Sequence, residues 1–217
     1  MRDFGLYGHL VFDTVLDIKT YYNTGGIANV WRALKHLNSK ADIHVSPTAI
    51  GYSTIIIDRE KSERHSNSDL NASTILPTII QARVNHIAYI NELEETFFIR
   101  HLEGIVCADI CTGEPLDDEL LDMIDYLFVS EEDLRLIKTP DRIKGIVVVH
   151  SPRRSYFYHT KYECTSDYIE GLNVLGAGDY FAARFMLGLH KNHLPEKCLR
   201  DAHRETTKFL KDSYGKT

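Results

Sequence analysis

Three short runs, 105-IVCADI-110, 126-YLFVS-130 and 145-GIVVVH-150, are apolar at consecutive rather than alternate positions. A strand that is apolar on both faces must be covered on both, the condition of a strand inside a parallel sheet. Stretches of helical period lie between such runs, and the alternation makes this an α/β chain with a mostly parallel central sheet. Strands are also predicted over 5–12, 43–50 and 86–90, with Pro47 threatening or ending the second. The run 53-STIIIDRE-60 suits an exposed or edge strand, and 61-KSERHSNSDLN-71 reads as a loop or hairpin end. The run 155-SYFYH-159 suits an outer or antiparallel strand. Helices are predicted over 27–37, around 74–82 despite Pro77, near 92–102 and 116–124, over 178–190 and over 195–211. Within 27-IANVWRALKHL-37, Ile27, Val30, Trp31, Leu34 and Leu37 share one face, which makes Trp31 a core residue.

The totals narrow the function. With 25 basic against 31 acidic residues the net charge is -6, which argues against a binder of nucleic acid, whose phosphates call for a basic face. No segment approaches 18 uncharged apolar residues, so no membrane span is expected. The N-terminal MRDFGLYGHLVFD has no signal-peptide run, and a cytoplasmic protein with reduced thiols is expected. Cys107 and Cys111 have no second pair to complete a zinc site, and none of the 11 histidines stands in a metal-binding pattern. His44, His86 and His150 lie in strand patterns and suit core or substrate contacts.

One segment carries chemistry: 174-VLGAGDYFAARFMLGL-189. Gly176 and Gly178 allow a ligand to approach the main chain, and the helix behind them repeats Phe181, Phe185 and Leu189 every four residues. The first turn of a helix leaves N–H groups without partners and favours negative charge. Asp179 stands in that turn, either as a capping carboxylate or as a base beside an anion cradle. The segment is not a Walker A loop, since no Gly-Lys-Ser/Thr follows, and it lacks the third glycine of a dinucleotide fingerprint.

Taken with Gly25-Gly26, these residues carry a resemblance. The segment 173-NVLGAGDYFAARFMLGL-189 resembles the C-terminal signature of the ribokinase-like, or PfkB-type, carbohydrate kinases. Likewise 8-GHLVFD-13 resembles that family's first strand, and 25-GGIANVWRAL-34 its Gly-Gly-x-x-Asn-x-Ala signature. The resemblance implies a ribokinase-like three-layer sandwich over 1–217, a single domain with a reduced lid and a small β flap within 51–71. It implies ATP-dependent phosphorylation of a hydroxyl on a sugar or polyol, with Mg²⁺ bridging the phosphates. Asp179 is then the catalytic base, Gly176, Ala177 and Gly178 form the anion hole, and Asp13, Gly25, Gly26 and Asn29 hold the acceptor.

The departures from the family pattern fall mainly on the nucleotide side. The family's Asn-x-x-Glu falls on Ser130–Asp133, which leaves Glu131 and Asp133 as the carboxylates toward Mg²⁺, or as a solvated helix start. A glycine-rich Thr-x-Gly-x-x-Gly is replaced by 150-HSPRRS-155, where Arg153 or Arg154 would reach a phosphate or simply populate a solvated turn. The leader Asn173-Val174-Leu175 lacks the family's hydroxyls. Only 11 residues separate Asp13 from Gly25, too few for the usual lid strands. A homodimer paired through the flap would protect its exposed edge. The alternative to a kinase is a catalytically degenerate relative that binds a sugar, nucleoside or protein partner.

Overall fold

The computed structural model describes residues 1–58, 63–110, 113–160, 162–166 and 175–214; Cys111 and the leader residues Asn173 and Val174 lie outside these. The strands in chain order are β1 (Arg2–Leu16), β2 (Thr20–Gly26), β3 (Ile43–Asp58), β4 (Glu63–Thr74), β5 (Ala82–Ala88), β6 (Ile105–Asp109), β7 (Tyr126–Ser130), β8 (Ile146–His150), β9 (Arg154–Phe157) and β10 (Glu163–Thr165). The helices are α1 (Ile27–Leu37), the single turn α2 (Asp118–Leu121), α3 (Ala177–His190) and α4 (Pro195–Tyr214). All strands join one sheet in the order β10-β9-β8-β7-β6-β5-β1-β3-β4, with β2 added on β1. The pairs from β3 through β1, β5, β6 and β7 to β8 are parallel, and the flanking pairs are antiparallel.

The doubly apolar runs behave as their composition requires. Val148, Phe128 and Cys107 point to the layer that holds α1, α3 and α4, while Val147, Val149, Leu127 and Val129 point to the opposite face. Helix α3 is buried on nearly all sides, from Tyr180 through Leu189, because it lies between the sheet and the other two long helices. The second face is built differently from the sequence expectation. Instead of helices over 92–102 and 116–124 there are 3₁₀ turns at Ile90–Glu92 and Phe97–His101 and the single turn of α2. From these short turns Phe98, Ile99, Leu116 and Leu120 nonetheless cover the sheet. Residues 75–81 form no helix, consistent with Pro77.

The strand 5–12 was expected to be short, but β1 runs 15 residues. Its first half pairs with β5 as far as Gly8↔Ala88, and its second half pairs with β2 from Leu10↔Gly26 onward. The change of partner coincides with a bulge between Gly8 and His9, where Gly8 has φ 104°. Gly8 pairs with Pro47 and His9 with Ala49, so Pro47 sits at the irregularity, where a missing N–H is tolerated. Strand β3 therefore passes through Pro47 to Asp58 and pairs with β4.

Beyond the bulge β2, β1, β3 and β4 form a four-stranded lid. The interval between Asp13 and Gly25 does hold lid strands, because Asp13 pairs directly with Asn23 in a hairpin. Trp31 is a further correction: it is 40 % exposed, since Ile27, Val30 and Leu34 fill the buried stripe and Trp31 flanks it. Among the described residues no helix is long and apolar enough to cross a membrane.

Candidate active site

The parallel strands β5, β6, β7 and β8 all end on one side, and ligands of open α/β sheets bind outside such ends. The lid strand β1 carries Asp13 out over this region. Asp13 is buried, and its Oδ1 accepts a 2.6 Å hydrogen bond from Ser53 Oγ of β3. Gly25, on the neighbouring strand β2, leaves room for that carboxylate: a Cβ there would stand 2.7 Å from Asp13 Oδ2. Gly26 caps α1 with φ 59°, and a Cβ would meet the His9 carbonyl oxygen at 2.1 Å, so only glycine serves there. Tyr21 pairs with Val15 and shares the face of Asp13, whereas Tyr22 pairs with Thr14 on the other face and is 83 % exposed.

Helix α1 starts from that glycine pair and brings Asn29 to α3. Asn29 Nδ2 donates to Asp179 Oδ2 at 2.9 Å, a contact between residues 150 apart in the chain. Asp179 lies in the first turn of α3, whose N-cap Gly176 takes φ 77° without a side-chain cap bond. Gly178 is shaped from the other side: a Cβ would meet His150 Cε1 at 3.3 Å. The first turn of α3, which carries Asp179, thus packs at Gly178 against the His150 ring at the end of β8. Burial pushes the His150 imidazole down to about 4, against the opposing pull of Asp109 and Asp133, so the ring is neutral near pH 7. His150 also packs on Phe181, ring centres 5.1 Å apart.

Arg32 escaped the sequence reading. One turn after Asn29, its guanidinium donates to Thr24 Oγ1 at 2.6 Å, to the Thr24 carbonyl and to Asn29 Oδ1. Desolvation lowers its affinity for the proton, while Asp179 and then Asp13 raise it, so one cation lies within electrostatic reach of both carboxylates. The available signal was the three-residue spacing from Asn29, which puts both side chains on one helix edge. Ser53 had no signal, because its link to Asp13 depends on the register of β1 and β3.

The nucleotide-side residues lie apart from this network. Glu131 Oε1 accepts from Arg154 Nε at 2.9 Å and from its second nitrogen, so the proposed metal carboxylate and phosphate arginine hold each other. That pairing lowers the proton affinity of Glu131. Arg154 also lies 5.0 Å from the Tyr156 ring centre. Asp133 Oδ2 accepts from Ser130 Oγ at 2.8 Å, and the Asp133 amide donates back to that hydroxyl at 3.0 Å. Arg153 is exposed on the β8–β9 turn, its carbonyl accepting from the Ser166 amide. Among the described residues no three His, Cys, Asp or Glu side chains are grouped to hold a metal. Tyr156 and Tyr158 pack on one sheet face and Phe157 on the other.

No protein-family model matches the sequence, and no curated protein is similar to it by sequence. Solved structures are similar in fold. A pyrophosphate-dependent kinase in the ribokinase family, complexed with a pyrophosphate analog and myo-inositol, superposes with TM-score 0.68 at 15 % identity, covering 95 % of this chain and 94 % of that one. Ribokinase from Thermotoga maritima gives TM-score 0.67 at 13 % identity, covering 97 % and 93 %. Fructokinase from Vibrio cholerae gives 0.68 at 15 %, covering 98 % and 99 %. The chain has the ribokinase-like fold. At this identity the likeness extends to the fold, and the chemistry of this ribokinase-like chain is argued from its own residues.

Proposed function

We propose that this chain transfers a phosphoryl group from ATP to a hydroxyl of a sugar or sugar-like small molecule, with Asp179 as general base. The observation that supports this most is the 2.9 Å bond between Asn29 and Asp179, which unites the acceptor signature with the helix start of the second signature. Asp13 and Asn29 orient the acceptor. Asp179 takes the hydroxyl proton as the oxygen bonds to phosphorus, and the bond from phosphorus to the bridging oxygen of the donor breaks to release ADP. The amides of Gly176, Ala177 and Gly178 receive the charge of the moving group. When bound, Mg²⁺ would neutralise charge on the donor phosphates, much of its coordination being kept as water. Asp133 and Glu131 are the carboxylates that would hold it, and Arg153 is the cation toward the donor, Arg154 being engaged by Glu131.

The test is donor consumption by purified protein with a panel of sugars and polyols. Turnover is expected only when an acceptor is present, and Asp179→Asn is expected to abolish it. Pyrophosphate is run beside ATP, because one structurally similar protein uses it and because Glu131 and Arg154 occupy each other on the nucleotide side. That same pairing favours a second reading, a degenerate relative that binds its small molecule without turnover. Calorimetry with acceptor and with ATP–Mg²⁺ separates them, since the second reading keeps acceptor affinity without donor affinity. The kinase reading places the chain in the cytoplasm, with its donor. We also assign the outward lid face, with Phe12, Tyr52 and Ile56 exposed, to a second copy, tested by light scattering.

A further inference from the structure

The kinase reading leaves Arg32 without a role, although the side chain is tied to three acceptors at the edge of the site. An asparagine amide presents an oxygen at one end and an NH₂ at the other. A guanidinium only donates and an ionised carboxylate only accepts. Asn29 stands between one of each, so its oxygen faces Arg32 and its NH₂ faces Asp179. Arg32 is anchored in turn on both the hydroxyl and the carbonyl of Thr24, at the end of lid strand β2, so the orientation is held from outside the helix. We propose that Arg32 is a positioning residue of this site: its fork fixes the Asn29 amide toward Asp179, and its charge keeps that carboxylate ionised when a phosphate anion arrives.

Charge supports the second half of this role. The field of Asp179 favours the charged form of Arg32 more than that of Asp13 does, and such coupling acts equally on both partners. Among the described residues, the other groups around the start of α3 do not supply a free cation. His150 of β8 is neutral near pH 7 and Asp13 of β1 is acidic. On the far side of α3, Arg184 is engaged by Asp201 and Glu205 of α4. A donor phosphate brought against Asp179 would favour its protonation, and Arg32 opposes that from the α1 side.

The inference rests on the kinase reading, and the experiment separates their failures. Arg32→Met and Arg32→Lys are compared with wild type by pH profiles of kcat and of acceptor KM, with folding checked by thermal unfolding. Arg32→Met is expected to lower kcat about tenfold more than it raises KM and to move the acid limb up by about one pH unit, the scale of an adjacent opposite charge. Arg32→Lys, which keeps the charge without the fork, is expected to leave the acid limb in place while kcat falls. Millimolar guanidinium is expected to restore part of the Arg32→Met rate. An unshifted limb in Arg32→Met, or equal losses in both variants without rescue, would overturn the role of Arg32. Activity in Asp179→Asn would instead overturn the base assignment itself.

Discussion

Around the proposed acceptor position, residues from five elements are bonded across the fold: Ser53 to Asp13, Arg32 to Thr24 and Asn29, and Asn29 to Asp179. On the expected donor side the carboxylates are already taken by protein partners, Glu131 by Arg154 of β9 and Asp133 by Ser130. A polar set bonded across several elements is organised before its ligand arrives. A set whose charges are already paired with each other must exchange partners to take a ligand, which costs affinity. On the kinase reading, the difference teaches that the acceptor side is organised in advance, while the donor would compete for its contacts.

The strongest way to break that comparison is Asp179→Asn. A loss of about 10²- to 10⁴-fold in kcat with folding intact is expected for removal of a general base, measured by acceptor-dependent donor consumption. Next in size is Gly25→Ala, which sets a methyl 2.7 Å from Asp13 Oδ2. Overpacking of this kind costs about 1–3 kcal/mol of stability, and acceptor KM is expected to rise through displacement of Asp13. Denaturant unfolding and steady-state kinetics check the two effects.

The donor end gives a sharper, smaller contrast. Arg154→Ala is expected to leave stability nearly unchanged, because its pair with Glu131 is largely exposed and screened by solvent. Donor KM is expected to stay within about threefold, the scale of an exposed ion pair; a tenfold rise would show that this arginine leaves Glu131 for the donor and would erase the contrast.

A slower trend with pH concerns His150, which stands between the two ends. Its folded value, about 4, lies below the ordinary 6.5, so the unfolded chain binds the extra proton first as pH falls. Its contribution is therefore fully present above pH 6.5 and is lost as pH drops from there toward 4, roughly 3 kcal/mol in all. Thermal unfolding across that interval should show the slope in wild type and a flatter one in His150→Gln.

Much of this molecule was legible in order along the chain. The runs at 105–110, 126–130 and 145–150 are strands, and α1, α3 and α4 lie within a few residues of their apolar periods. Local backbone and burial preferences suffice for such elements. The motif GAGD likewise stands at a helix start, because glycine and an acidic first turn are local signals.

Other features were settled by contacts between distant segments. Pro47 is tolerated because the bulge at Gly8 receives it, and the lid hairpin forms because Asp13 meets Asn23 across a turn. Trp31 is left outside because three neighbours fill the stripe against α3. Amino-acid order by itself determined the inner strands, the helices α1, α3 and α4, and which residue types could do chemistry. Only the tertiary structure decided which of those side chains meet, since hydrogen bonds such as Asn29 to Asp179 and Arg154 to Glu131 depend on register and packing that no single segment encodes.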